Sequence, residues 1–303
     1  MVKIAGLLIA VLVALAPGPA SADDLDPELR ETFILANTEF TIFHEIGHAA
    51  IDQFDLPVLG LEEDAADLIA AMSMIYGHQV EADIRQSELL LMAAEIWIAE
   101  WRGEGKYSDN RHAYWDVHSL AIQRFYNIVC LVYGSNPDAL PDLLDTEALP
   151  AERGFVCDKI YQQARQTMQW VLETYGRDEE SRNPGFGIVV EFEEPATQVQ
   201  RRMKRLLQRS TMVSRLATEI SARLDWPEDI LLRFARCPGN PDAYYNARVA
   251  EVTICYELLE HFEKAITEQG VEMTERVCAN PATRRLFGER AGCPEGSETG
   301  AAR

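Results

Sequence analysis

The strongest constraint on the fold is an HExxH pattern, formed by His44, Glu45 and His48. Residues four positions apart lie one above the other on a helical face, so both imidazoles can bind one metal ion if this stretch is a helix. Glu45 follows the first histidine directly and can reach a water at that metal as a general base. The pattern predicts a helix over about residues 31–53 with two zinc ligands and a catalytic carboxylate. Two unrelated histidines on a surface helix are the alternative.

A third zinc ligand is expected downstream, because a catalytic zinc takes three protein ligands. The metzincin arrangement is excluded, since Ile51 and Phe54 stand where that class has glycine and histidine. Pro57 and Gly60 end the first helix. A second helix, predicted over about residues 62–76, can therefore fold back against the first and supply the ligand.

Glu63 and Asp67 are four residues apart and share one face of that second helix. Glu63 is predicted to bind zinc, and Asp67 to accept the free ring N–H of His44 and so fix its orientation. Glu62 is the rival ligand, but the residue four positions after it is Ala66, which accepts no side-chain hydrogen bond. Substitution of Glu62 is therefore expected to cost little. A solvated acidic helix start is the alternative interpretation of these residues.

HEIGH followed by ExxAD resembles the gluzincin zinc-peptidase pattern, in which the glutamate is the third ligand and the aspartate orients a ligand histidine. The longer stretch 44–67 is similar to a family of bacterial proteins, mostly uncharacterised, that are described as zinc metallopeptidases. The similarity covers most of the chain after the N-terminus. It continues through further blocks: 116–120, 123–127, 130–134, 246–247 and 253–258.

The resemblance implies zincin-like active-site helices in the first half of the chain. In many gluzincins a sheet precedes HExxH, and substrate pairs along its edge strand. Too few residues precede His44 for such a sheet, so its usual position in the chain is vacant. We expect the C-terminal half to supply the sheet that packs beside the zinc helices.

The predicted fold class is α+β, mostly α-helical, with a small β-sheet plus helices in the second half. We predict a helical metallopeptidase core over 23–177 and an α+β portion over 178–303 that packs on it. The further helices are expected at about 82–102, 114–133, 155–175, 197–224, 256–268 and 271–288, and the strands at 188–192, 231–235 and 249–255.

A second catalytic candidate is His118, which is predicted on the apolar face of the helix over about 114–133, three residues after Trp115. A histidine there can be a buried structural residue. It can also donate a hydrogen bond to the oxyanion of a tetrahedral intermediate. Arg124 and Tyr126, on the same helix, are weaker candidates for that role.

The charge of the chain restricts its partners. Lys and Arg number 28 against 49 Asp and Glu, and the net charge of −21 disfavours nucleic acid as a partner. The segment 200–209 nevertheless carries five basic residues. We interpret it as a solvated helix face or an internal counter-charge rather than a nucleic-acid or membrane patch.

The first 22 residues are expected to be a cleaved signal peptide. Lys3 supplies a positive start, residues 4–16 are apolar or glycine, and Ala20-Ser21-Ala22 fits a small-residue cleavage site. The apolar run is shorter than the roughly 20 residues that span a bilayer, so a retained anchor is the less favoured alternative. The mature chain is expected to be periplasmic or secreted, with no transmembrane span.

The six cysteines include no CxxC pair and are expected to form structural disulfides in an oxidising compartment. Six cysteines allow 15 connectivities. Sequential pairing is predicted, because each pair closes a modest loop: Cys130 with Cys157, Cys237 with Cys255, and Cys278 with Cys293.

The function predicted from these patterns is that of an exported metallopeptidase, with Zn²⁺ as cofactor and a peptide or protein as substrate. The alternatives are a zinc-stabilised binding or assembly module without catalysis, and a zinc amidase that acts on cell-wall peptides. The sequence carries no signal for the oligomeric state.

Overall fold

The computed structural model describes residues 26–76, 84–104, 115–144, 146, 148–178, 185–279, 284 and 293. The expected signal peptide over residues 1–22 lies outside these residues. The helices are α1 (Pro27–Gln53), α2 (Glu62–Tyr76), α3 (Ile84–Glu104), α4 (Ala121–Ser135), α5 (Ala151–Gly154), α6 (Cys157–Tyr175), α7 (Gln198–Ser210), α8 (Met212–Arg223) and α9 (Tyr256–Ala279). The strands are β1 (Ile188–Phe192), β2 (Ile230–Ala235), β3 (Ala243–Asn246) and β4 (Glu251–Cys255).

The described part of the chain is mostly helical with one small sheet, which confirms the predicted class. The strand order is β1-β2-β4-β3. Strands β1, β2 and β4 are parallel, whereas β3 is antiparallel to β4 and forms one edge of the sheet. None of the described helices is long and apolar enough to cross a bilayer.

Helix α1 packs against elements from both halves of the chain. It begins with Pro27 in the first turn, and the Asp26 side chain accepts a hydrogen bond from the backbone N–H of Glu28 at 2.9 Å. It contacts α2, α3 and α9, and also β3 and β4. The C-terminal half therefore supplies a sheet beside the predicted zinc helix, as expected.

The two parts of the chain share one hydrophobic core. The ring of Phe54, just after α1, lies 5.1 Å from that of Trp226 and 4.9 Å from that of Tyr175. The buried Glu39 of α1 pairs with Arg215 of α8 at 3.2 Å. The boundary at residue 178 stays a prediction.

The predicted helix over 114–133 begins late, at Ala121. The side chain of Asp116 accepts a hydrogen bond from the backbone N–H of His118 at 2.9 Å. Such a local bond offers the backbone an alternative to the helix, and Leu120, with φ −55° and ψ 143°, is not helical. The prediction that places His118 on an apolar helical face is therefore wrong.

Three other boundaries differ from the predicted ones. The helix expected over 197–224 divides at Thr211, whose φ of 58° is left-handed. The two helices expected after residue 255 form the single helix α9, which tolerates Gly270 in its interior. Strand β3 has no counterpart among the predicted strands because turn residues flank it closely, although two adjacent tyrosines, Tyr244 and Tyr245, favour a strand.

The disulfides pair in the predicted order: Cys130 with Cys157, Cys237 with Cys255, and Cys278 with Cys293. The first ties α4 to the start of α6, and the second joins the end of β4 to the loop after β2. The basic segment 200–209 is largely a counter-charge, since Arg202 pairs with Glu263 and Arg209 with Glu31.

Candidate metal centre

The approach of α2 to α1 depends on small residues at their crossing. A Cβ atom at Gly47 would lie 3.2 Å from the Cα atom of Ala66, so the helices could not pack as closely with a larger residue there. Ala66 and the next alanines along the interface, Ala70 and Ala71, are fully buried. This close crossing brings the acidic face of α2 against the histidine face of α1.

Three donor atoms converge at that crossing. The Nε2 atoms of His44 and His48 are 3.3 Å apart, and Oε2 of Glu63 lies 3.2 Å from the first and 3.4 Å from the second. Zinc holds nitrogen and oxygen ligands at about 2.0–2.1 Å, so two ligands of a tetrahedral zinc are about 3.3–3.4 Å apart. The donor set and its spacing fit a zinc ion.

Asp67 fixes the orientation of one of these imidazoles. Its Oδ1 lies 2.8 Å from Nδ1 of His44, which directs Nε2 toward the other donors. Arg124 holds the same carboxylate twice, with Nε at 2.6 Å from Oδ2 and Nη2 at 2.5 Å from Oδ1. The guanidinium also lies over the Trp97 ring, 3.5 Å from its centroid. His44, Asp67, Arg124 and Trp97 thus form a continuous series of side-chain contacts behind the donor triangle.

Arg124 is therefore not placed as an oxyanion donor. Its guanidinium is buried on Asp67, which corrects the oxyanion role for which Arg124 was a weaker candidate. Tyr126 packs its ring against that of Phe125, with centroids 5.4 Å apart. The sequence gives no sign that Arg124 pairs with Asp67, because 57 positions separate the two residues.

Glu62 has a role that the sequence argument overlooked. Its Oε1 lies 2.8 Å from Nδ1 of His48, so it stands to that imidazole as Asp67 stands to His44. The side chain of Asp64, two residues further along α2, is exposed. The expectation that Glu62 is dispensable is revised, because a carboxylate at this position orients a donor imidazole.

His118 lies at the rim of the site, although it is not on a helix. Its Nε2 is 3.1 Å from Oε2 of Glu63, and its Nδ1 is 2.9 Å from Oδ1 of Asp116. Nearly half of its side chain is exposed. The structure thus brings His118 to the donor triangle from the segment before α4, with a carboxylate on its outer ring nitrogen.

The donor groups perturb one another strongly. Burial lowers the pKa of His48, but its bonds to Glu63 and Glu62 outweigh this and raise the pKa to about 9. The hydrogen bond to Glu63 raises the pKa of His118 to about 9 as well. Bonds from His118, His44 and His48 hold the pKa of Glu63 well below its usual range. These interactions favour protonated imidazoles around the Glu63 carboxylate.

Glu45 lies beside this cluster in a buried position. Burial raises the pKa of its carboxyl, the nearby imidazoles lower it, and the charges of Glu63 and Asp242 raise it further. Asp242 directly precedes the edge strand β3, and at the other end of that strand the Tyr245 hydroxyl lies 2.9 Å from Oδ2 of Asp52 on α1. Strand β3 therefore runs along α1, beginning near Glu45.

A comparison with protein families decides the affiliation. The family described as "Putative metallopeptidase" matches residues 20–172 and 192–287, which is well over half of the chain. The chain belongs to this metallopeptidase family. No curated protein and no solved structure matches it. Membership in the metallopeptidase family implies a bound metal, for which His44, His48 and Glu63 provide a donor set.

Proposed function

We propose that this protein is an exported, zinc-dependent endopeptidase. The observation that carries the proposal is the donor triangle of His44, His48 and Glu63, whose spacing suits tetrahedral zinc. Three protein ligands are the number that a catalytic zinc takes, since its fourth position is kept for water or substrate. Glu45, directly after the first ligand, adds the carboxylate that a purely structural metal site does not need.

The catalytic groups divide the reaction between them. Bound zinc supplies a Lewis acid for the scissile carbonyl and for water. Glu45 accepts the proton of the attacking water and donates it to the leaving amine. Its buried position raises its pKa, which brings the carboxyl closer to the pH at which it must both take and give a proton.

His118 stabilises the oxyanion in this proposal. Its Nε2 is 3.1 Å from Glu63, at the rim of the triangle, where a carbonyl oxygen of the substrate would develop charge. Asp116 accepts a hydrogen bond from Nδ1, and in the protonated imidazolium Nε2 donates as well. The exposure of His118 allows a substrate to reach it.

Strand β3 is the proposed docking edge for the peptide. It is the outer strand of the sheet, and no other strand among the described residues pairs with its free side. An extended peptide that adds to this edge would run along α1 past Glu45. An edge that accommodates peptide on both sides of the scissile bond favours an endopeptidase.

Export is proposed from two features. Residues 1–22 have the pattern of a signal peptide, and the three disulfides require an oxidising compartment to form and persist. The proposed location is therefore the periplasm or the exterior.

Glu45→Gln provides the test, because it retains the size of the side chain and removes the base. Wild-type protein should contain about one zinc per chain and cleave members of a mixed peptide library, assayed beside peptidoglycan fragments. The variant should retain zinc and lose cleavage by at least about 100-fold. Zinc-free protein from a zinc-replete preparation would refute the proposal. Cleavage of the peptidoglycan fragments alone would indicate an amidase, and zinc retention without any cleavage a binding module.

A further inference from the structure

A cavity of about 520 Å³ lies behind helix α1, away from the donor triangle. Helices α1, α2, α6 and α8 form its wall, and none of the three metal donors lines it. Its volume is within the range of roughly 300–1,000 Å³ that small-molecule sites occupy in proteins. The metal centre and its chemistry do not account for this space.

Most of the cavity wall is apolar. Helices α1 and α2 line the cavity with aliphatic, aromatic and thioether side chains: Phe43, Ile46, Ala50, Ile69 and Met72. Helices α6 and α8 add Met168, Val171 and Ile220. A ligand with a flexible hydrocarbon body can lie along such a wall without leaving polar groups unpaired.

The charged side chains of the lining have a net charge opposite in sign to that of the whole protein. Three arginines and two glutamates reach the cavity: Arg165, Arg215, Arg223, Glu39 and Glu219. The cavity lining is thus net positive in a chain whose formal charge is −21. A local excess of guanidinium groups at an apolar cavity is complementary to an anionic head group on an apolar body.

The carboxylates of the lining both contact one of these arginines. Arg215 lies 3.2 Å from Glu39 and 3.4 Å from Glu219. Arg223 is on the same helix as Arg215 and interacts with the charge of Glu219. Arg165 is on a different helix, α6, where it is half-buried. Burial raises the pKa of the Tyr76 hydroxyl, and the positive charge of the nearby Arg165 partly offsets this. Arg165 is therefore the cation best placed to receive a carboxylate from a ligand.

We propose that this cavity binds a single-chain amphiphile with a carboxylate head group, of the free fatty acid class. The hydrocarbon chain lies along α1 and α2, and the carboxylate pairs with Arg165. Because the ligand would contact the back of the helix that carries His44 and His48, the site is distinct from the substrate groove proposed above.

The first test uses the full chain, as purified, and a series of saturated carboxylates from hexanoate to hexadecanoate below their micelle concentrations. Each buried methylene should strengthen binding roughly fourfold, the equivalent of about 0.8 kcal/mol. The increase should stop once the chain fills the cavity, which unspecific adsorption would not show. The alcohol of equal length should bind at least about tenfold more weakly. Absence of saturable binding at every length would overturn the proposal, as would equal affinity for the alcohols.

Two variants localise the binding, each with a matched control. Ser73→Phe places a ring in the cavity, whereas Ser214→Phe changes an exposed serine of α8 outside the lining. Arg165→Gln removes the proposed cation, whereas Arg205→Gln removes an exposed one on α7. Both cavity variants should weaken dodecanoate binding at least about tenfold and both controls should leave it unchanged.

Unchanged binding in Ser73→Phe would overturn the location, and unchanged binding in Arg165→Gln the head-group contact. The chain-length series keeps the proposal testable if a variant fails to fold. Neither measurement depends on cleavage of a peptide, so their failure is distinguishable from failure of the peptidase proposal.

Discussion

Asp67→Ala should weaken both the metal site and the fold, for separable reasons. The Asp67 carboxylate is only 14% exposed and accepts hydrogen bonds from His44 and from two nitrogens of Arg124. Alanine leaves the imidazole of His44 without its orienting partner. It also leaves the guanidinium of Arg124 buried against Trp97 with no carboxylate.

The two consequences have different magnitudes. Loss of an orienting carboxylate behind a metal ligand typically weakens metal binding about 10- to 100-fold, or about 1.4–2.7 kcal/mol. Breaking a buried ion pair by removing one partner costs about 3–5 kcal/mol of stability. The low exposure of both Asp67 and Arg124 supports the use of the buried-pair magnitude here.

A second substitution separates these effects. Asp67→Ala/Arg124→Met removes the unpaired cation and replaces it with an apolar chain of similar length that can pack on Trp97. The double variant should recover most of the stability that Asp67→Ala loses, but not the zinc affinity. Urea unfolding of metal-free protein gives the stability without a contribution from zinc binding, and competition with a chromogenic chelator gives the affinity. Recovery of wild-type zinc affinity in the double variant would refute the orienting role of Asp67.

Three further outcomes follow from the same structure. Glu62→Ala should weaken zinc binding up to about tenfold, because His48 loses the carboxylate that orients its ring. The control Asp64→Ala should leave the zinc affinity unchanged, and equal affinities of the two variants in the chelator assay would contradict this. Burial lowers the pKa of His48, but the neighbouring carboxylates outweigh it and raise the pKa to about 9. At about pH 7, zinc must therefore displace a proton from His48, and zinc binding should strengthen as the pH rises toward about 9. Calorimetry in buffers of different ionisation enthalpy should detect the released proton, and its absence would count against the shift. Gly134→Ala should lower the free energy of unfolding by about 1–3 kcal/mol in urea, because the added Cβ would lie 2.3 Å from the Cys157 carbonyl oxygen. Wild-type stability of this variant would show that the contact between α4 and α6 can relax.

The parts of the site that depend on local periodicity are visible in the sequence. His44, Glu45 and His48 are set by the four-residue spacing of one helix, and Glu63 with Asp67 by the same spacing in the next. A short turn joins these helices, so few relative arrangements could bring both faces together. The mostly helical α+β class followed from the same patterns, because periods of 3.6 and 2 residues are visible along the chain.

The residues that complete the site from distant parts of the chain are visible only once the helices and strands are packed together. Arg124 reaches Asp67 across 57 positions, and Tyr245 reaches Asp52 across 193. Such contacts leave no repeat in the sequence, because they depend on how whole helices and strands pack. The same reason explains the edge strand over residues 243–246, whose four residues carry little periodicity. Its place beside α1 comes from its pairing with β4 and from the packing of that sheet on the helix.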